Sequence, residues 1–415
     1  MKKILFVTYG GGHVHMICPV IHELRQISNY DVYVLALPAA IKHIQNAGIP
    51  FITFKDFLEG DAEAMRWGEE LAEIHHMDSS GIDYQESVAY LGLNYKDLVA
   101  LHGAEQAKKE MQKRGRQAFF PLGTMAKIFD KIKPDFVVTT NSPRSEAAAI
   151  EVANQRNINN LIITDLFTGI GYYKLKGKNI TFLNKSTQKK FIDDGLVNPK
   201  ISKLYNTGNP AFDKLIGVYQ NGFFHAWSDA FPFVKNKDVV LHADTHSYWD
   251  DKNKCSYFKS AEETREELDQ CYTAVTKQGA YYFVRPHPSQ DINFYKKWIQ
   301  DKKDAYLADQ CDLHFLLSGI KLLLVRTSTV ALEALFLRKR VLQIEYEKHN
   351  DVPLKKLKVS WGTQSYECLE QELKDALNNK KSWTEIKRLM EINFPHSKAA
   401  EQIAALIQRK INKPE

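Results

Sequence analysis

Short β-rich runs alternate with helical patterns along almost the whole chain, and this alternation restricts the fold more than any other feature. Lys3–Val7, Asp31–Leu37, Phe51–Phe54, Asp135–Thr140 and Asn160–Thr164 read as strands bounded by turn residues. Between them, Ile17–Ile27 and Arg144–Gln155 carry apolar residues at helical spacing. The same rhythm returns with Asp238–His242, Ala280–Val284, Lys321–Val325 and Arg340–Ile344. Such a succession predicts an α/β fold with mostly parallel, doubly wound sheets covered by helices. A chain of 415 residues exceeds one ordinary core, so two Rossmann-like domains are expected.

The expected boundaries follow from where the rhythm breaks. Residues 1–206 form the first domain, with an insertion over about 57–125 that reads as helical and charged. That insertion is either a solvated excursion or a cap that shapes an acceptor site. The segment 207–237 opens with "TGNPAFDKL", continues as an irregular aromatic stretch and reads as a linker region. Residues 238–395 form the second domain. Residues 396–415 hold a closing amphipathic helix, "SKAAEQIAALIQRKI", whose Lys and Arg suit its C-terminal dipole.

Composition removes several classes of function. The 44% hydrophobic and 26% charged residues are those of a soluble globular protein. No apolar run is long enough to span a bilayer, and Lys2-Lys3 lead into a strand rather than a secretory signal. Five scattered cysteines without C-x-x-C spacing argue against a disulfide framework or a zinc site and predict a reducing cytoplasm. A net charge of +6 suits anionic small molecules or the inner face of a membrane, touched peripherally, and is too modest for nucleic acid.

Four stretches carry candidate chemistry. "VTYGGGHVHM" places Gly10, Gly11, Gly12 and His13 on the turn after the first strand. Three glycines imply positive φ or a close approach to the backbone, and His13 is either a polar turn residue or a catalyst. The turn lacks the G-x-G-x-x-G and Walker A patterns, which disfavours NAD and ATP. "VRPHPSQ" puts Arg285 and His287 at a strand's C-terminal end, where they could meet a phosphate or merely shape a proline turn. "VRTSTVALEAL" runs a buried-looking strand into Thr327, Ser328 and Thr329 and then a helix. Ordinary capping competes there with phosphate binding, but no capping-box spacing reaches Glu333, which leaves that residue free for another role, such as gripping ribose hydroxyls. "LHADTHSYWDD" offers His242, Thr245 and His246, as cleft lining or as a polar loop. No common metal-site spacing occurs, so neither a metal nor another cofactor is expected.

These residues together resemble the GT-B glycosyltransferase superfamily. "YGGGHVHMICPVIHEL" looks like the opening of the lipid II-forming N-acetylglucosaminyltransferases. "TGNPAFDKL", "TSTVALEALFLRKRVLQIE" and "FPHSKAAEQIAALI" are similar to segments of those enzymes and of the UDP-N-acetylglucosamine 2-epimerases, with "TST" standing where the epimerases have Ser-Gly-Gly. "RPHPSQ" with "TST" also resembles CDP-glycerol polymerases and bacterial CMP-sugar transferases. The resemblance implies two facing Rossmann-like domains with a nucleotide-sugar in their cleft. It also implies donor phosphate at Thr327, Ser328 and His287, and ribose at Glu333.

The expectation is a metal-independent transferase moving a sugar from a nucleotide-sugar donor to a glycan or lipid-linked acceptor in cell-envelope polysaccharide or glycolipid synthesis, with a UDP-N-acetylglucosamine 2-epimerase-like enzyme or a CDP-glycerol-type glycerophosphotransferase as the alternatives. Gly11, Gly12, His242, Thr245, Arg285, His287, Thr327, Ser328, Thr329 and Glu333 are its expected donor residues. His13 is the first candidate for the general base, with Asp83 and Glu86 from the insertion in reserve.

Overall fold

A computed structural model describes the chain except residues 28, 77–80, 166–172, 222–223, 235–236, 246, 251–254, 288–289, 327, 346–352 and 413–415. It divides into two compact units, Met1–Ala211 with Ser397–Glu415, and Phe212–His396. Among the described residues no helix is long and apolar enough to cross a membrane.

The first unit is built on a six-stranded parallel sheet of β1 (Lys2–Thr8), β2 (Tyr30–Ala36), β3 (Phe136–Thr140), β4 (Asn159–Ile163), β5 (Asn179–Phe182) and β6 (Lys203–Asn206). Its order is β2-β1-β3-β4-β5-β6. The expected strand Phe51–Phe54 survives as a single parallel bridge between Ile52 and Leu35. The chain turns away there because Thr53 caps a short 3₁₀ helix, Phe54–Phe57, with Asp56 closing the capping box. Strand interiors such as Ile4–Val7 and Phe136–Val138 are wholly buried, as parallel strands covered on both faces must be.

The insertion is not a solvated excursion. Helices Ala62–His75, Tyr84–His102 and Ala104–Arg114 bury Val88–Leu91, Leu93, Leu98, Ala107 and Met111 in one core with Leu5, Val7 and Leu35 of the sheet. Two glycines permit this packing. A Cβ on Gly92 would lie 1.9 Å from the Ala64 carbonyl oxygen, and one on Gly68 would lie 2.2 Å from that of Val88. Gly92→Ala should therefore force the helix pair apart and cost about 1–3 kcal/mol. Thermal unfolding measures this, and an unchanged midpoint would contradict so close a crossing.

The opposite face of the sheet is covered partly from the far end of the chain. Helix Ala399–Asn412 buries Ala400, Ile403, Ala404, Leu406, Ile407 and Ile411 against Ile17, Ile21 and Leu161. The final residues thus complete the first unit. Where the chain leaves and re-enters this unit the two segments touch, because the Ser397 hydroxyl donates to the Thr207 carbonyl at 3.3 Å.

The second unit carries β7 (Val239–Ala243), a hairpin of β8 (Ser247–Asp250) with β9 (Cys255–Phe258), β10 (Tyr281–Arg285), β11 (Ala305–Leu307), β12 (Leu322–Val325), β13 (Arg340–Ile344) and β14 (Trp361–Thr363). Its main sheet is parallel, with order β11-β10-β7-β12-β13-β14. Counted within the unit this is the order 3-2-1-4-5-6 of dinucleotide-binding sheets. The expected linker is helical instead. Asp213–Asn221 and Phe224–Ala230 belong to the second unit, where Trp227 stacks on Phe283 and packs against Phe231.

Candidate active site

In open parallel sheets ligands bind beyond the strands' C-terminal ends, where the strand order reverses. In the first unit that point lies between β1 and β3, which pair from Ile4–Phe136 to Val7–Thr139. The glycine turn follows β1, so it stands at this position. Gly10 is buried, and a Cβ there would fall 2.5 Å from the Ala39 carbonyl oxygen. Gly11 is the residue before helix Gly12–Arg25 and has φ +65°, which favours glycine. A close contact therefore accounts for Gly10, and backbone conformation accounts for Gly11. Gly11 and Gly12 are exposed.

His13 sits half-buried in the first turn of that helix, with Nδ1 2.7 Å from the Thr140 hydroxyl at the end of β3. The Thr140 hydroxyl donates to Glu146 Oε2 at 2.7 Å. Glu146 is wholly buried and also accepts the Ser142 N–H at 2.9 Å and the Tyr9 N–H at 2.8 Å. The Tyr9 ring meets His13 edge-on at 6.2 Å, and the Arg144 guanidinium lies 4.9 Å from the Tyr9 ring centre. Sequence reading missed Thr140, Glu146 and Arg144. The available signal was a threonine ending the strand beside β1, followed by a lone acid opening an apolar, alanine-rich helix.

The two reserve candidates have other duties. Asp83 is exposed and caps helix Tyr84–His102, accepting the N–H groups of Gln85 and Glu86 at 3.0 and 3.3 Å. Glu86 accepts the Thr53 hydroxyl at 3.0 Å, and burial raises its carboxyl above the ordinary glutamate value.

In the second unit the order reverses between β7 and β12, where Val325 pairs with Ala243. Thr245 and Ser328 follow these strands and are half-buried, while Thr329 is exposed. Ser328 Oγ accepts the Val330 N–H at 3.3 Å, and Thr329 makes no side-chain cap. His287, on the loop after β10, is exposed. Thr327 and His246 lie outside the described residues.

Three expected donor residues are engaged within the unit. His242 lies in β7, wholly buried, with Nδ1 2.6 Å from the Tyr282 hydroxyl, so it does not line an open surface. Arg285 donates through its guanidinium to the carbonyls of Ala308 at 3.0 Å and Cys311 at 2.6 Å. Glu333 is not left over: its carboxylate pairs with the His314 imidazole. A ribose hydroxyl at Glu333 would therefore meet a histidine–carboxylate pair.

Beneath this strand edge lies a buried ionic network. The Lys259 ammonium touches Asp244 at 2.5 Å and Glu267 at 2.9 Å, with both carboxylates almost fully enclosed. Arg326 reaches Glu267 at 3.2 Å and Glu345 at 2.8 Å, and also donates to the Tyr366 hydroxyl at 2.7 Å. The Tyr295 hydroxyl donates to Asp244 at 2.5 Å. His242, Asp244 and Glu267 offer ligand atoms within 4.8 Å of one another, and the Lys259 ammonium supplies cationic charge to both carboxylates. Burial alone would raise the Glu267 carboxyl, but facing His242, Lys259 and Arg326 hold it well below the usual range.

No protein-family model matches the chain, and no curated protein sequence is similar to it. Solved structures do resemble it over its whole length. A UDP-GlcNAc 2-epimerase from Neisseria meningitidis bound to UDP-GlcNAc aligns with TM-score 0.61 and 12% identity, over 99% of this chain and all of that one. A putative UDP-N-acetylglucosamine 2-epimerase from Listeria monocytogenes aligns with TM-score 0.63 and 14% identity, over 100% and 98% of the two chains. A glycosyltransferase from Rickettsia africae aligns with TM-score 0.58 and 12% identity, over 100% and 99%. At these identities the likeness is one of fold, and the fold is GT-B.

Proposed function

We propose that the protein is a nucleotide-sugar enzyme that transfers a sugar to a hydroxyl of a glycan or lipid-linked acceptor, on the cytoplasmic side of the cell envelope. The observation that carries this reading is the placement of the motif clusters. The His13 turn and the Thr245 and Ser328–Thr329 segments each stand where their own sheet reverses strand order. In this reading the second unit recognises the nucleotide, through Ser328, Thr329 and His287 at phosphate and the Glu333–His314 pair at ribose. His13 of the first unit takes the acceptor's proton as the leaving phosphate gathers charge. The similar glycosyltransferase and epimerase structures support a nucleotide-sugar as substrate.

A second reading is 2-epimerisation of UDP-N-acetylglucosamine, favoured by end-to-end similarity to an epimerase bound to that nucleotide-sugar. Incubation with UDP-N-acetylglucosamine alone separates the two. Epimerisation yields a 2-epimer without acceptor, whereas transfer consumes donor only when an acceptor hydroxyl is supplied.

Nucleotide recognition is tested by thermal shift with UDP, CDP, CMP, GDP and dTDP. The preferred nucleotide at a hundredfold excess over its Kd should stabilise the protein by about 2.7 kcal/mol. Silence across the panel would overturn the reading. Glu333→Ala should weaken the preferred nucleotide by about tenfold, the loss of one charge-assisted hydrogen bond. Unchanged affinity would remove Glu333 from the ribose site.

A further inference from the structure

We infer that Thr140 and Glu146 are positioning residues that hold His13 as its Nδ1–H tautomer and so leave Nε2 unprotonated to receive a proton. The inference rests on the reading of His13 as general base and adds to it which nitrogen works and what selects it.

The selection follows from counting protons. Glu146 accepts backbone N–H groups on both oxygens, from Tyr9 on Oε1 and Ser142 on Oε2. Backbone N–H groups can only donate, so both oxygens act as acceptors, as an ionised carboxylate does. Thr140 has one hydroxyl proton, and it points to Glu146 Oε2. What the Thr140 oxygen offers His13 at 2.7 Å is therefore a lone pair, and this contact requires a proton on Nδ1. A neutral imidazole has only one N–H, so Nε2 keeps its lone pair. Free imidazole side chains favour the Nε2–H form, and the relay reverses that preference.

The fold makes the arrangement rigid. β1 and β3 are parallel neighbours, so the turn after one and the end of the other lie side by side. Glu146 clasps both through the Tyr9 and Ser142 N–H groups, and it is wholly buried, as is Thr140. In the transfer step the acceptor O–H bond breaks and its proton forms a bond to Nε2. The acceptor oxygen joins the anomeric carbon, while that carbon's bond to the phosphate oxygen breaks and its electron pair leaves with the nucleotide. The Nδ1–H···Thr140···Glu146 chain persists unchanged, and the buried carboxylate faces the imidazolium through a single hydroxyl.

The test is ¹⁵N NMR of the full chain labelled at histidine, with His13 assigned by the signals lost in His13→Gln. Wild-type protein in its neutral-imidazole range should show a protonated-type Nδ1 and an unprotonated-type Nε2. Thr140→Val keeps the shape of the side chain and should move His13 toward the Nε2–H form, while Thr140→Ser should restore the wild-type pattern. An Nε2–H tautomer in the wild type, or no response to Thr140→Val, would overturn the inference. The wild-type measurement needs no variant to fold. In a transfer assay Thr140→Val should lower kcat by about 10–100-fold with KM little changed, and Thr140→Ser should recover it. A shifted tautomer with unaltered kcat would leave the positioning intact and overturn His13 as the base.

Discussion

Replacing His13 with alanine is expected to lower turnover by about 10²–10⁴-fold, the usual contribution of a positioned general base. Affinity for the nucleotide should stay within about twofold, because uniform binding is untouched when only a transition-state interaction is lost. Two comparisons sharpen this result. Asp83→Ala removes a helix cap and should cost about 0.5–2 kcal/mol of stability while turnover survives. Glu86→Gln keeps the bond to Thr53 and removes a carboxyl whose ionisation burial disfavours, so it should unfold no earlier than the wild type at neutral pH. Steady-state kinetics beside thermal unfolding separate the three. Normal turnover in His13→Ala would exclude it as the base.

Replacing Glu267 with alanine is the change expected to destabilise the second unit most, by about 3–5 kcal/mol. Glu267 joins Lys259 and Arg326 under the sheet edge, all nearly excluded from water. Its removal takes from two nearly buried cations, Lys259 and Arg326, the carboxylate that both share. Glu267→Gln keeps the shape and lowers the loss without abolishing it. The pH dependence has a definite sign. The folded carboxyl sits well below its ordinary value of 4.5, so its contribution is complete at neutral pH and declines as pH falls below 4.5. The difference between wild type and Glu267→Gln should narrow along the same course. Urea unfolding followed by fluorescence reads this out, since Trp227, Trp298, Trp361 and Trp383 lie in the second unit. A loss below about 1 kcal/mol for the alanine variant would mean that the network adds no net stability.

The main strands were legible because long apolar runs with turn residues at both ends have few other fates. Asp135–Thr140 and Phe136–Thr140, expected and observed, differ by one residue. β5 and β6 were not legible: "NITF" and "KLYN" hold four residues each, too few for a periodicity to register. The start of the first helix was missed by five residues, since glycine and histidine at Gly12–His13 carry no helical signal.

The site divided along a similar line. His13 stood out beside glycines adjacent in sequence, whereas Thr140 and Glu146 reach it only through the pairing of β1 with β3, 127 residues on. The protein partners of Arg285, His242 and Glu333 were not legible for the same reason. A sequence displays their charge or polarity but not the carbonyls of Ala308 and Cys311, the Tyr282 hydroxyl or the His314 ring that engage them.

The helix Ala399–Asn412 has a consequence for how the polypeptide emerges from a ribosome. The N-terminal sheet is synthesised early, yet part of the apolar surface on one side of it stays uncovered until helix Ala399–Asn412 arrives, after the entire intervening unit has been made. That intervening unit contains every strand of its own sheet and can close first. The order of maturation thus runs opposite to the order of synthesis, and a nascent chain halted before Ala399 should expose Ile17 and Ile21 to chaperones.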